Sequence, residues 1–196
     1  MKKDYSSESQ RYMTPVEMYQ PILDFMGIDE FDSDVACENM NIPAKKYFTE
    51  DGLYAKNDFF FKLASVDGLT GEWGNGVHFC NPPWKLSRHF VKKIYQEVTA
   101  NKNSRVWAIL PMDRFETAFY QKFIAKNKNC FCVLLPKAGF LIPEAPLDTP
   151  KPSVKAMYVY FGQDAKETAA SWNEVMDVGV VFYNAFSIDL KERKEN

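Results

Sequence analysis

The sequence is poor in the features that would assign it to several large protein classes. Its four cysteines, Cys37, Cys80, Cys130 and Cys132, never take the paired CxxC spacing of a zinc site or a redox dithiol. They sit in apolar, strand-like surroundings, where reduced core cysteines belong. The two histidines, His78 and His89, have no partner pattern for a metal site or a catalytic triad, so no metal is expected. No apolar run approaches the roughly 20 residues of a membrane helix. The opening MKKDYSSESQRYMT has two lysines but no apolar stretch behind them, unlike a secretory signal. A cytoplasmic protein with no membrane partner is the expectation. There is no internal repeat, and the formal net charge is only -2. Duplex-binding domains usually displace counterions with a basic surface, so any such surface here has to be local.

What is present is an ordinary globular composition, 46% hydrophobic and 26% charged over 196 residues, enough for one domain with a substantial core. Residues 1–12 are polar without apolar periodicity and read as a flexible arm; residues 13–190 read as a single domain. Thr14, Pro15 and Glu17 have the form of a helix start, with Thr14 as cap and Pro15 at the first helical position; Gly27 ends that helix. Phe31 to Cys37 is a strand candidate. Glu38 to Lys62 reads as loop with some helix and contains Phe59 to Phe61, a core plug with a base-stacking platform as the alternative. Val77 to Cys80 is a brief strand stopped by paired prolines. A helix from Leu86 to Ala100 and a buried strand from Arg105 to Leu110 follow, then a helix around Phe115 to Ala125 and a second buried run from Cys130 to Leu135. Successive βαβ units of this kind predict an α/β fold with a mostly parallel central sheet, closed by Ala156 to Phe161 as an antiparallel strand. Val178 to Ala185 can add another strand. Ala138 to Lys155 is proline-rich and irregular, either a target-reading loop flanked by Lys137, Lys151 and Lys155 or a plain surface connection.

In an open parallel sheet, ligands bind beyond the C-terminal ends of the strands, and Asn81-Pro82-Pro83-Trp84 falls at such an end. Methylating an aromatic amine is hard because the nitrogen lone pair is delocalised into the ring. Two acceptors on its two hydrogens draw the nitrogen toward tetrahedral geometry. The Asn81 side-chain oxygen and the Pro82 carbonyl can be those acceptors, with Pro82 and Pro83 stiffening the backbone so that both are preorganised. Trp84 can stack on a base rotated out of a duplex. A proline-stiffened turn with a packed indole is the structural alternative. Behind the motif, Lys85, Arg88 and Lys92 can meet phosphate, Arg88 and Lys92 being one turn apart on a helix that also carries His89 and Lys93; a solvated face is the alternative.

Asn-Pro-Pro followed by an aromatic residue is the amine-methyltransferase motif, and its wider setting resembles the phage-type DNA N-6-adenine-methyltransferase (Dam) family. The resemblance spans Met13 to Phe161: Met13-Thr14-Pro15 before a helix, Phe31-Asp32-Ser33-Asp34-Val35-Ala36-Cys37 followed by Asn39, Tyr47-Phe48-Thr49, Asp67-Gly68-Leu69 before Trp73, then Asn81 to Trp84. It implies a Rossmann-like class I methyltransferase fold, S-adenosyl-L-methionine as cofactor and DNA adenine N6 as acceptor, in a phage or prophage setting. It further implies a cofactor site with Asp34, Ala36 and Asn39 in its lining, Asp67 near the adenosine, and Thr14 and Pro15 near the methionine end. As plain turn or capping residues, Asp34, Asn39 and Asp67 would need no ligand. The glycine-rich FxGxG loop of many methyltransferases is absent, and Asp-Gly-Leu occurs twice, at Asp51 and at Asp67. Cytosine N4, an RNA adenine or a protein glutamine are alternative acceptors, and a catalytically inactive nucleic-acid-binding relative is an alternative of another class.

Overall fold

A computed structural model describes residues 13–56, 61–114, 116–135, 138–141 and 153–183. The expected arm at 1–12, Phe59, Phe60, Lys137, Lys151 and most of the proline-rich segment lie outside the described residues.

The strands are β1 (Ser33–Asp34), β2 (Lys46–Phe48), β3 (Leu53–Ala55), β4 (Phe61–Ala64), β5 (Gly76–Cys80), β6 (Ser104–Pro111), β7 (Cys130–Leu134), β8 (Ala138–Gly139), β9 (Ser153–Val154), β10 (Ala156–Phe161) and β11 (Val180–Tyr183). Nine of them form one sheet in the order β11-β7-β10-β6-β5-β1-β2-β3-β4, while β8 and β9 pair separately. Continuous apolar runs became the central strands: β6 is buried from Val106 to Pro111 and β10 along its whole length. Strands wetted on neither face need no alternation.

The expectation of a mostly parallel sheet is corrected. Three pairings are parallel, β1 with β2, β1 with β5 and β5 with β6, whereas the other five are antiparallel. Two features reverse the balance. Glu38 to Lys62, read as loop with some helix, instead contains most of an antiparallel meander through β2, β3 and β4. And β10 does not close the sheet but inserts between β6 and β7, antiparallel to both, with β11 outside β7.

Helices α1 (Val16–Met26), α2 (Ser87–Ala100), α3 (Ala118–Tyr120, continuing as a π-turn over Gln121–Ala125) and α4 (Ala165–Val175) cover both faces. On one face, Met18, Ile22 and Leu23 of α1 and Ala165, Ala169 and Trp172 of α4 share a core with Trp107, Phe131, Tyr158 and Tyr160. On the other, Phe90, Val91, Ile94 and Val98 of α2 join Tyr120 and Ile124 against Val106, Ala108 and Leu110. The three layers follow from strands that are apolar on both sides.

Local chemistry sets the helix ends. Gly27 terminates α1 in the left-handed region at φ 63°. Pro15, not Thr14, is the N-cap of α1, and no side chain caps it. The Thr14 hydroxyl is engaged elsewhere. Helix α4 was not anticipated, although Ala165, Ala169 and Trp172 recur at helical spacing and all three are buried. All four cysteines are free and buried, as expected of core thiols. His78 is a core histidine: its Nδ1 lies 2.8 Å from the Ser33 hydroxyl, its Nε2 lies 3.2 Å from the Gly74 carbonyl, and burial holds its pKa down. Among the described residues, no helix is long and apolar enough to cross a membrane.

Candidate active site

The parallel strands β2, β1 and β5 run in one direction, so their C-terminal ends share one edge of the sheet. Asp34 sits opposite Phe79 in the β1–β5 register, and the Val35 amide donates to the Phe79 carbonyl at 2.9 Å. Beyond that edge opens a cleft of about 230 Å³. Fully enclosing small-molecule pockets are usually about 300–1,000 Å³, so a nucleoside-sized ligand here would leave part of itself exposed or move the rim.

Of the residues singled out in the sequence, Thr14, Asp34, Ala36, Asn39, Asp67, Asn81 and Pro83 line this cleft. Residues separated by up to 69 positions thus meet at one place. Pro15, Pro82 and Trp84 lie outside its wall, and Lys85, Arg88 and Lys92 are exposed at and beyond the start of α2. The sequence did not single out Glu38 or Glu50, and it treated Asp51 as the less favoured copy of Asp-Gly-Leu; all three line the cleft. With Asp34 and Asp67 the wall carries five acidic side chains and, among the described residues, no lysine or arginine. Only the spatial meeting of these loops reveals that charge.

Asn81 directly follows β5. Its Nδ2 donates to the Thr14 hydroxyl at 2.8 Å. With Nδ2 donating to that hydroxyl, Oδ1 is the acceptor not engaged among the described residues. Thr14 is itself buried at 4% exposure, and its carbonyl accepts from Asn41 Nδ2 at 2.9 Å. Pro82 is buried, and its carbonyl accepts no hydrogen bond among the described residues. The neighbouring carbonyls are used: Pro83 accepts from the Leu86 amide at 2.7 Å, and Trp84 accepts from the Ser87 hydroxyl at 2.9 Å. Tyr120 donates to Ser87 at 3.2 Å and supports that turn from α3. Trp84 is half-buried, its ring nearly perpendicular to Phe140 at 6.4 Å.

The two nominated aspartates differ. Asp34 is enclosed; burial pushes its carboxyl up to about 7, against the Ala36 amide at 3.2 Å and the Cys37 thiol, both of which favour the carboxylate. Asp67 does what turn aspartates do: its Oδ1 accepts from the Leu69 and Thr70 amides and from the Thr70 hydroxyl, each at 2.9 Å. The turn it builds still shapes the cleft. Gly68 packs so tightly that an added Cβ would lie 1.7 Å from the Val35 carbonyl oxygen, and the buried Trp73 indole donates to the Gly68 carbonyl at 2.8 Å. The Asp67-Gly68-Leu69 and Trp73 landmarks therefore form one structural unit. Asp51 is exposed, at the hairpin after β2 where Thr49 accepts from the Asp51 amide at 3.2 Å. Among the described residues, no group of three or more His, Cys, Asp or Glu side chains is placed to hold a metal ion.

The chain matches no protein-family model, no curated protein and no solved structure.

Proposed function

We propose that this protein is a DNA adenine methyltransferase of the phage-type Dam kind, built on a class I methyltransferase fold and using S-adenosyl-L-methionine. One observation carries the proposal: the two oxygens that amine methylation requires, Asn81 Oδ1 and the Pro82 carbonyl, are both unengaged among the described residues, beside an acidic cleft at the C-terminal edge of parallel strands.

The donor set fits the cofactor. A ligand carrying both an ammonium and a sulfonium charge suits a wall to which the described residues contribute five acidic side chains. Asp34, Ala36, Asn39 and Asp67 would hold it, with Asp51 from the hairpin, and the Gly68–Val35 contact keeps backbone close to the space it would occupy. When bound, it supplies a methyl group on a cationic sulfur.

The chain's own residues do the rest. Asn81 and Pro82 accept the two hydrogens of the adenine amine and pull its nitrogen out of conjugation. Thr14 holds the Asn81 amide so that oxygen, not nitrogen, meets the amine. Trp84 offers a ring to a base that has lost its stacking. The amine sheds its proton to solvent after transfer, so no general base is needed. The test pairs calorimetry with turnover: Asn81→Ala should bind S-adenosyl-L-methionine as the parent does yet methylate DNA about 10²–10³-fold more slowly. Methylation by that variant at close to the parent's rate would remove the mechanism.

A further inference from the structure

A protein of net charge -2 that works on DNA must concentrate its positive charge somewhere. Residues 85–130 contain ten Lys or Arg against three Asp or Glu, and they fold into α2, β6 and α3. Of those acids, Glu97 is taken by Lys93 at 2.5 Å, a pair only 12–15% exposed, and Lys93 also lies over the Trp73 ring at 5.9 Å. Lys93 is therefore a packing cation rather than a surface one. Arg88 and Lys92 make no salt bridge among the described residues, and neither does Lys122 across from them on α3.

These cations alternate with rings. Arg88, Lys92 and Tyr95 fall at i, i+4 and i+7, one stripe of α2. The Arg88 guanidinium lies over Phe119 at 4.9 Å, and Tyr95 meets Phe123 edge-on at 5.3 Å. Phe119 and Phe123 are 4.7 Å apart, and Lys122 lies over Phe123 at 5.4 Å. Phe119 and Phe123 are half-buried, and Tyr95 is 40% exposed. Helix packing accounts for the two phenylalanines; it does not account for an exposed tyrosine flanked by cations that lack carboxylate partners. A row of unpaired cations with an accessible ring is the chemistry that holds a sugar–phosphate chain and stacks on a base. The stripe starts one turn from Trp84 and runs about 10 Å down α2, so a strand lying along it leads to the motif.

We infer that the seam between α2 and α3 is a DNA-binding surface, in which Arg88, Lys92 and Lys122 take backbone phosphates and Tyr95 stacks on a base. The inference rests on DNA being the substrate and adds where the strand lies.

The test is binding of the full chain to fluorescent single-stranded and duplex oligodeoxynucleotides over a salt series, without cofactor. Replacing Arg88, Lys92 and Lys122 together by Ala should flatten the slope of log affinity against log salt by about 2 for a single strand and somewhat more for a duplex. Tyr95→Ala should weaken single-strand binding roughly five- to hundredfold with the slope unchanged. A control triple variant of Lys45, Lys56 and Lys166, exposed and away from the seam, should move the slope much less. Equal effects from the two triple variants, or no binding by the parent protein, would overturn the inference. Seam-dependent binding without methyl transfer would keep the seam and remove the proposed enzyme. Methyl transfer whose KM for DNA ignores the seam variants would do the reverse.

Discussion

Two regions of this protein carry opposite charge and lie on different parts of one sheet. Residues 29–72, which build most of the cleft wall, hold ten Asp or Glu against four Lys or Arg. Residues 85–130 reverse that balance, and between the two stands Asn81 to Trp84. A near-neutral whole thus conceals an acidic pocket suited to a small cation and a basic, ring-bearing surface suited to a polyanion. Net charge alone would have argued against nucleic acid. The spatial separation of the two signs is what makes the proposed reaction electrostatically coherent, since a cationic donor and an anionic acceptor need different walls.

The largest effect expected is at the junction. Asn81→Ala removes one of two acceptors and should cost about 10²–10³ in turnover, as loss of a preorganised transition-state hydrogen bond does. Steady-state methylation measures it, and cofactor affinity within about threefold of the parent would show that the acidic region is intact. The next largest is structural. Gly68→Ala drives a methyl group into the Val35 carbonyl, backbone against backbone, and should destabilise the fold by about 2–4 kcal/mol in urea denaturation. An unchanged midpoint would show that the Asp67 turn does not press on β1 as described.

Asp34 tests the acidic side through pH. Its ordinary value is 3.8, and burial raises it to about 7 in the folded protein. The folded state therefore binds the proton more tightly than the unfolded chain. The fold bears no penalty from this group below about pH 4, loses stability as pH climbs to about 7, and levels off above. The full cost is a few kcal/mol, on the order of 4 at most. Asp34→Asn should abolish that slope. Other titrating groups near Asp34 are the buried thiols of Cys37 and Cys80 and the Tyr47 phenol, all pushed upward by burial and silent in this range. A cation in the cleft favours the carboxylate, so binding of S-adenosyl-L-methionine should tighten from pH 6 to pH 8 and release a proton near pH 7. The smallest effect is at Thr14. Thr14→Val should lower turnover about tenfold by freeing the Asn81 amide to rotate, while Thr14→Ser should restore it. Loss confined to cofactor affinity would place Thr14 in the pocket wall alone.

The sequence foretold elements better than their arrangement. β10 was located to the residue, although it was read as an alternating strand and is instead buried on both faces. The direction of β10, between β6 and β7, depends on which strand accepts its hydrogen bonds, and nothing local records that. The meander from Lys46 to Ala64 was missed because its strands are short and mixed with turn residues, so period-two alternation never accumulates. At the site, Asn81 was legible because an amide side chain before paired prolines at a strand end carries specific chemistry, whereas Thr14, Asp34 and Asp67 were pointed to only by the family resemblance. Glu38 and Glu50 were not, since an exposed glutamate on a loop looks the same wherever the loop goes. The seam was half-legible: helical spacing paired Arg88 with Lys92, but Phe119 and Lys122 join them only through the packing of α3 on α2.

Everything converges on whether an adenine amine receives a methyl group. Unmethylated DNA incubated with the full chain and S-adenosyl-L-methionine carrying a labelled methyl, then digested to nucleosides and resolved by mass spectrometry, should yield labelled N6-methyl-2′-deoxyadenosine from the parent protein and at least about a hundredfold less from Asn81→Ala in the same time. Label on cytosine would keep the enzyme and change its base. No labelled nucleoside at all, with intact protein and cofactor, would contradict the account.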